Sequence, residues 1–216
     1  MRDILFVSYY TPEAKYEQYA VRLIESFEKF SLPYTVCRLP EFDSWAAGIR
    51  YKPQFILETL LRRRCPIVWV DVDAVILKRP ELLFGDHDFA VYNWCADTGH
   101  HLEGKIVHSG RVLSASGGVM KFGYTAPAIE LLLRWTSGLA AEPESLDDPM
   151  LSRAYNEWQP EVKPLWLPKA YNRMDLHWPA FPADQIIIDH QCRCGGHRDG
   201  IESPGEEGLS KEGGQV

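Results

Sequence analysis

Short apolar runs and longer stretches of helical periodicity alternate through the first third of the chain. "ILFVSYY" (Ile4–Tyr10) is a continuous apolar run of strand length. Thr11 and Pro12 follow and suit the cap and first position of a helix. Tyr16, Tyr19, Ala20, Leu23, Ile24, Phe27 and Phe30 then recur at helical spacing. "YTVCRL" (Tyr34–Leu39) predicts a second strand, a loop through Gly48 leads to a helix near Lys52–Arg64, and "PIVWVDVDAVIL" (Pro66–Leu77) predicts a third strand. Strand–helix–strand–helix–strand order implies a mostly parallel sheet with helices on both faces, in which ligands bind beyond the carboxyl ends of the strands.

The second half is less regular. "FAVYNW" (Phe89–Trp94) predicts a strand and "DTGHHLEGK" (Asp97–Lys105) a polar loop. "RVLSASGGVMKF" (Arg111–Phe122) predicts one or two strands around a glycine pair. Ile129, Leu132 and Leu133 mark one face of a helix over Thr125–Trp135. Met150, Leu151, Ala154, Tyr155 and Trp158 do so for a helix from about Asp148 to Trp158. Ser145, three residues before Asp148, fits a capping box at its start. "VKPLWLP" and "QIIIDH" predict late strands. From Gly195 the composition turns to Gly, Glu, Ser and Lys, and residues 199–216 are expected to form a weakly ordered polar tail.

Length and charge narrow the class. With 216 residues and 45% hydrophobic content, one α/β domain over residues 1–198 has enough material for a substantial core. The net charge of -7 gives no broad basic surface for nucleic acid, and "LRRRC" (Leu61–Cys65) reads as the solvated end of a helix. No run reaches the roughly 18 apolar residues of a membrane span. "MRDILFVSYY" lacks a signal peptide's apolar core and cleavage site, so a cytoplasmic protein is expected. The five cysteines are odd in number and scattered, which suits reduced thiols. "CRCGGH" (Cys192–His197) supplies at most three zinc ligands at an unusual spacing, with no clear fourth.

Asp71 and Asp73 change the picture. Two carboxylates interrupt an apolar strand, and burying two repelling acids is costly unless something positive meets them. Residues two apart on a strand project to the same side. Carboxylate oxygens are hard ligands for Mg²⁺ or Mn²⁺, which also bind phosphate. The pair therefore predicts a divalent cation and a pyrophosphate-bearing ligand; a strand end paired to arginines is the structural alternative. Gly117 and Gly118 remove side chains where backbone can approach a ligand, or form a simple bulge.

"YKPQFILETL", "VWVDVDAVIL", "SASGGVMKF", "LDDPML" and "IIIDHQCR" occur in an order that resembles the GT-A nucleotide-sugar glycosyltransferases, particularly the retaining members and the nucleotide-diphospho-sugar transferase group. The resemblance runs from about Ile4 to Arg198. It implies a GT-A, Rossmann-like single domain that moves a hexosyl or pentosyl group from a nucleotide-diphosphate sugar, a UDP-sugar, with retention. By it, Asp71 and Asp73 hold the metal, Mn²⁺ or Mg²⁺, on the donor diphosphate, and His190 completes the metal site. Asp147 binds sugar hydroxyls and Asp148 faces the anomeric carbon. The usual residue at the latter place is an amide, so the second carboxylate leaves open a glycosyl-aspartate intermediate or a front-face route. Tyr9, Tyr10 and Thr11 fall where the nucleoside binds, Ser116, Gly117 and Gly118 beside the donor sugar, and Arg50, Lys52 and Arg193 near sugar or phosphate. The acceptor is left open: a polysaccharide, a protein, a small molecule or a modified DNA base.

"DVDAV" also matches the D-x-D-x-[TV] of haloacid-dehalogenase-type phosphatases. Asp71 is then a nucleophile and Asp73 the acid/base, with Ser114, Lys121 and the Asp147–Asp148 pair in later roles. That motif normally follows the first strand of its domain, whereas two strand–helix units precede it here, and it leaves "IIIDH" unexplained. A non-catalytic nucleotide-sugar binder is the other alternative.

Overall fold

The computed structural model describes residues 4–102, 105–158, 162–174 and 177–190. The expected Arg193 contact, the "CRCGGH" stretch and the polar tail lie outside the described residues. Two strand–helix units and a third strand come first: β1 (Leu5–Tyr10), α1 (Ala14–Lys29), β2 (Tyr34–Arg38), α2 (Trp45–Arg50), α3 (Lys52–Arg63) and β3 (Ile67–Val70). Then follow β4 (Ala74–Ile76), β5 (Phe89–Asn93), α4 (Trp94–Asp97), the hairpin β6 (His100–Leu102) and β7 (Lys105–Val107), and β8 (Ala115–Phe122). α5 (Ala126–Ala141), α6 (Asp147–Trp158), β9 (Pro164–Trp166), β10 (Arg173–Met174) and β11 (Ile188–His190) complete the order.

Six strands form the central sheet in the order β2-β1-β3-β8-β5-β9. β1 is parallel to β2 and β3, and β5 is parallel to β9; β8 runs antiparallel between β3 and β5. The architecture is α/β, a central sheet flanked by helices, as expected. The inner strands β3 and β5 read as apolar runs because both of their faces are covered. Ile67 and Trp69 of β3, with Phe89 and Val91 of β5, face a core shared with α3, α5 and α6. Val68, Val70, Ala90 and Tyr92 face a second core with Leu23 and Phe27 of α1 and Ile76 of β4. Alternate residues of one strand thus enter opposite cores.

Several local expectations are corrected. α1 begins at Ala14 with Glu13 at its cap position, so Thr11 and Pro12 lie before the helix. Gly48 sits inside α2 rather than in a loop, and Ser44 caps that helix by accepting from the Ala47 amide. The expected polar loop at Asp97–Lys105 includes a β-hairpin. α5 runs on to Ala141, beyond the expected Trp135. The largest correction concerns "PIVWVDVDAVIL". It is not one strand: β3 stops at Val70 and β4 starts at Ala74, in a different, three-stranded sheet ordered β10-β11-β4. Among the described residues no helix is long and apolar enough to cross a membrane.

Candidate active site

The break in that segment builds the site. The Asp71 amide donates to the Gly118 carbonyl at 2.8 Å, and the Ala74 amide donates back to the Asp71 carbonyl at 3.0 Å. Asp71, Val72 and Asp73 therefore form a tight turn at the carboxyl edge of the sheet. The two carboxylates converge through this turn, not through the two-residue period of a strand. β4 then pairs antiparallel with β11, with Ala74 opposite His190. That pairing carries His190 to Asp73 across more than a hundred residues of chain.

One ligand atom from each of Asp71, Asp73 and His190 lies within 4.8 Å of the others. His190 is 3% exposed. Its Nδ1 is 3.9 Å from Asp73 Oδ1, while Asp73 Oδ1 and His190 Nε2 are buried with no hydrogen-bond partner among the described residues. A buried polar atom without a partner costs about 1–3 kcal/mol. A divalent cation removes that cost for both atoms, and two carboxylates with an imidazole are a donor set that Mn²⁺ or Mg²⁺ accepts. The residues fit the metal that the resemblance implies.

A second charged cluster lies behind the first. Lys52, at the start of α3, is 5% exposed. Its Nζ is 2.6 Å from Asp147 Oδ2 and 3.3 Å from Asp71 Oδ1. Burial pulls its ammonium down, but Asp147, Asp71 and Asp148 outweigh burial and hold it well above the ordinary lysine value. Trp69 Nε1 donates to the same Asp71 Oδ1 at 2.7 Å. The Asp71 carboxyl is raised: desolvation is the largest cause, Lys52 opposes it and Asp73 adds to it. Its side chain keeps 35% of its surface open, so the desolvation is that of a cleft wall rather than a sealed core.

Asp147 and Asp148 open α6. The Trp135 indole of α5 donates to the Asp147 carbonyl at 2.9 Å and anchors this first turn. The expected capping box does not form: Ser145 precedes the helix by two residues and its hydroxyl donates weakly to the Leu146 carbonyl at 3.4 Å. Asp148 is thus free of a capping role, and its Oδ1 is buried without a partner among the described residues. Burial first, and then Asp147, push its carboxyl up from 3.8 to about 7; Lys52 and the Gly117 amide hold it from rising further.

The two glycines make room for these protein groups. A Cβ on Gly117 falls 2.2 Å from Asp148 Oδ1, and one on Gly118 falls 2.5 Å from His190 Cε1. Real Cβ atoms do not approach so closely, so a side chain at either position displaces a functional group. The β8–β5 register also slips here, from Met120 opposite Val91 to Ser116 opposite Tyr92, so the bulge is real as well.

The remaining expected residues divide. Ser116 is in the wall of the site, accepting at 2.9 Å from Asn172 Nδ2. Asn172 is 1% exposed and its Oδ1 has no partner among the described residues. It was not foreseen, because nothing in "PKAYNRMD" distinguishes a site amide from a loop amide. Tyr9 lies behind the acids, among Phe42, Tyr51, Phe55 and Trp69, with its hydroxyl donating to the Gly48 carbonyl at 2.6 Å. Burial raises its phenol far above the ordinary range. It is part of a wall of packed aromatic rings. Tyr10 ends β1 and Thr11 follows it, both half-buried on the same carboxyl edge. Arg50 is not brought to the acids: its guanidinium donates to the Leu139 carbonyl of α5.

Comparison with solved structures agrees with this architecture. A glycosyltransferase involved in the glycosylation of the major capsid of PBCV-1 superposes with a TM-score of 0.61 at 13% identity, covering 88% of this chain and 93% of its own. The glycosyltransferase GlyE of Streptococcus pneumoniae TIGR4 superposes with a TM-score of 0.55 at 15% identity, covering 87% of this chain and 54% of its own. No protein-family model matches the sequence, and no curated protein does. The chain has a glycosyltransferase fold.

Proposed function

We propose that the protein is a metal-dependent glycosyltransferase that moves a sugar from a nucleotide-diphosphate donor, a UDP-sugar, to an acceptor hydroxyl with retention. The observation that carries this reading is the meeting of Asp71, Asp73 and His190 at one strand edge, beside the buried Lys52–Asp147–Asp148 cluster. Asp71, Asp73 and His190 hold the cation. When bound, the ion supplies positive charge to the diphosphate as it leaves. Lys52 orients Asp71 and neutralises the floor beneath it.

The two α6 acids then differ in role. Asp147 is locked to Lys52, so its carboxylate is structural to the floor. Asp148 makes no ion pair of its own among the described residues and lies against Gly117; it is the group we assign to the sugar's anomeric centre, where its negative charge stabilises an oxocarbenium-like transition state. In the overall reaction the bond from the anomeric carbon to the diphosphate oxygen breaks, one to the acceptor oxygen forms, and the acceptor's proton passes to the released diphosphate or solvent. The phosphatase alternative fares poorly: Lys121, its required cation, donates to the Gly85 carbonyl and is reached by the charges of Asp86 and Asp88 rather than Asp71.

A screen of UDP-sugars tests the reading without an acceptor, because slow donor hydrolysis needs only water. UDP release should require Mn²⁺ or Mg²⁺ and stop with chelator, while an aryl phosphate stays intact. Phosphate release from the aryl ester that is lost in Asp71→Asn overturns the assignment, as does the absence of UDP release from every donor.

A further inference from the structure

β8 outruns its neighbour β3. The two pair from Ile67 opposite Phe122 to Val70 opposite Val119, and the Asp71 amide reaches Gly118 before the chain turns away. Towards its start, β8 pairs with β5 on one side only, through Ser116 and Ala115. On the other side α6 takes over as hydrogen-bonding neighbour. Asn156 is bidentate on Leu113: its Oδ1 accepts from the Leu113 amide and its Nδ2 donates to the Leu113 carbonyl, both at 2.8 Å. Ser152 Oγ accepts from the Ala115 amide at 2.9 Å and donates to the Asp148 carbonyl at 2.8 Å. The third rung is Asp148 itself, whose carboxyl lies against Gly117, where an added Cβ would fall 2.2 Å from its Oδ1.

These contacts form a ladder. Asp148, Ser152 and Asn156 are four apart on one face of α6; Leu113, Ala115 and Gly117 are two apart on or just before β8. Four helical residues rise about 6 Å and two strand residues about 6.6 Å, so the rungs stay in step over the two intervals between them. Leu113 is 0% and Ala115 6% exposed, so their backbone groups need these partners. A helix held only by apolar packing can slide or roll by fractions of an ångström; one clamped to successive backbone groups of a strand cannot.

We propose that Ser152 and Asn156 are positioning residues, which set the register of α6 on β8 and so hold the Asp148 carboxylate beneath Gly117. The inference rests on the glycosyl-transfer reading of Asp148. Neither residue reaches the reacting atoms; each acts by fixing where the next rung falls. The Ser152 hydroxyl relays between the strand amide and the Asp148 main chain, so its loss uncouples the acid from β8 directly.

The test compares Ser152→Ala, Asn156→Ala and Ser152→Thr with Arg153→Ala on the same helix, which breaks only exposed pairs with Glu142, at the end of α5, and Glu157. In Mn²⁺-dependent UDP-sugar hydrolysis, the first two should lose kcat on the order of tenfold or more with KM within about twofold, as expected for misplacing a catalytic group. Ser152→Thr, which keeps the hydroxyl, should recover most of the loss, and Arg153→Ala should match wild type. A folded Ser152→Ala protein with wild-type kcat overturns the proposal, and so does a loss that Thr fails to restore. A second measurement does not need turnover: the Asp148 carboxyl followed by NMR should titrate at a shifted pH in both Ala variants relative to wild type, because the loosened turn changes both its burial and its contact with the Gly117 amide. If wild type releases no UDP, the functional reading fails while this titration still decides the ladder; an unmoved midpoint in both variants overturns it. Should Asn156→Ala fail to fold, the Ser152 pair decides alone.

Discussion

Asp148→Asn should make the protein more stable and less active, and the stability gain should depend on pH. The carboxyl is pushed up from 3.8 to about 7 by burial and by Asp147. An acid whose folded value lies above its unfolded value favours the protonated fold, so stability is fullest below the unfolded value and is lost as pH rises towards the folded one. The gap between 3.8 and about 7 is roughly three pH units. At about 1.4 kcal/mol per unit, ionised Asp148 costs the fold up to about 4 kcal/mol well above pH 7, and less than half of that at pH 5. These are upper bounds, because Lys52 and incoming water can rearrange around the charge. Asparagine keeps the shape and removes the ionisation. Urea unfolding in chelator should therefore show the Asp148→Asn variant gaining little at pH 4 and most at pH 8. UDP-sugar hydrolysis by the same protein should fall on the order of a hundredfold or more. An equal stability change at pH 4 and pH 8 refutes the burial argument, and near-wild-type hydrolysis refutes the catalytic one.

Three further outcomes follow from the geometry. UDP should bind far more tightly with Mn²⁺ or Mg²⁺ than with chelator in calorimetry, and Asp73→Asn should abolish the metal-dependent part while the circular dichroism of the fold is retained. Gly118→Ala, whose Cβ falls 2.5 Å from His190 Cε1, should weaken metal-dependent UDP binding, whereas Gly117→Ala, aimed at Asp148, should reduce turnover and spare that binding. Lys52→Met should cost about 3–5 kcal/mol in denaturant unfolding at pH 7, because it strands Asp147 and Asp71 without their cation; a loss under 1 kcal/mol counts against a buried ion cluster.

β1, α1, β2 and the helix before the acids were legible because hydrophobic period alone sets them. The choice of Asp71 and Asp73 was legible too, since two acids inside an apolar run are chemically conspicuous. Their geometry was not. "VWVDVDAVIL" carries an uninterrupted strand-like pattern, and the turn at Asp71–Asp73 arises only because β3 must stay in the central sheet while β4 joins β11. The same partition explains the glycines: Gly117 and Gly118 are visible in sequence, but the groups they admit, Asp148 and His190, arrive from α6 and β11. A capping pattern around Ser145 promised a structural role for Asp148 that α6, starting at Asp147, does not use. Sequence thus determined which residue types and which local elements were present, because propensity and periodicity act over a few neighbours. Only tertiary structure decided which of them meet, because the β4–β11 pairing is made by backbone groups that every residue carries, and the α6 side chains that clamp β8 lie 37 and 43 residues from the backbone they meet.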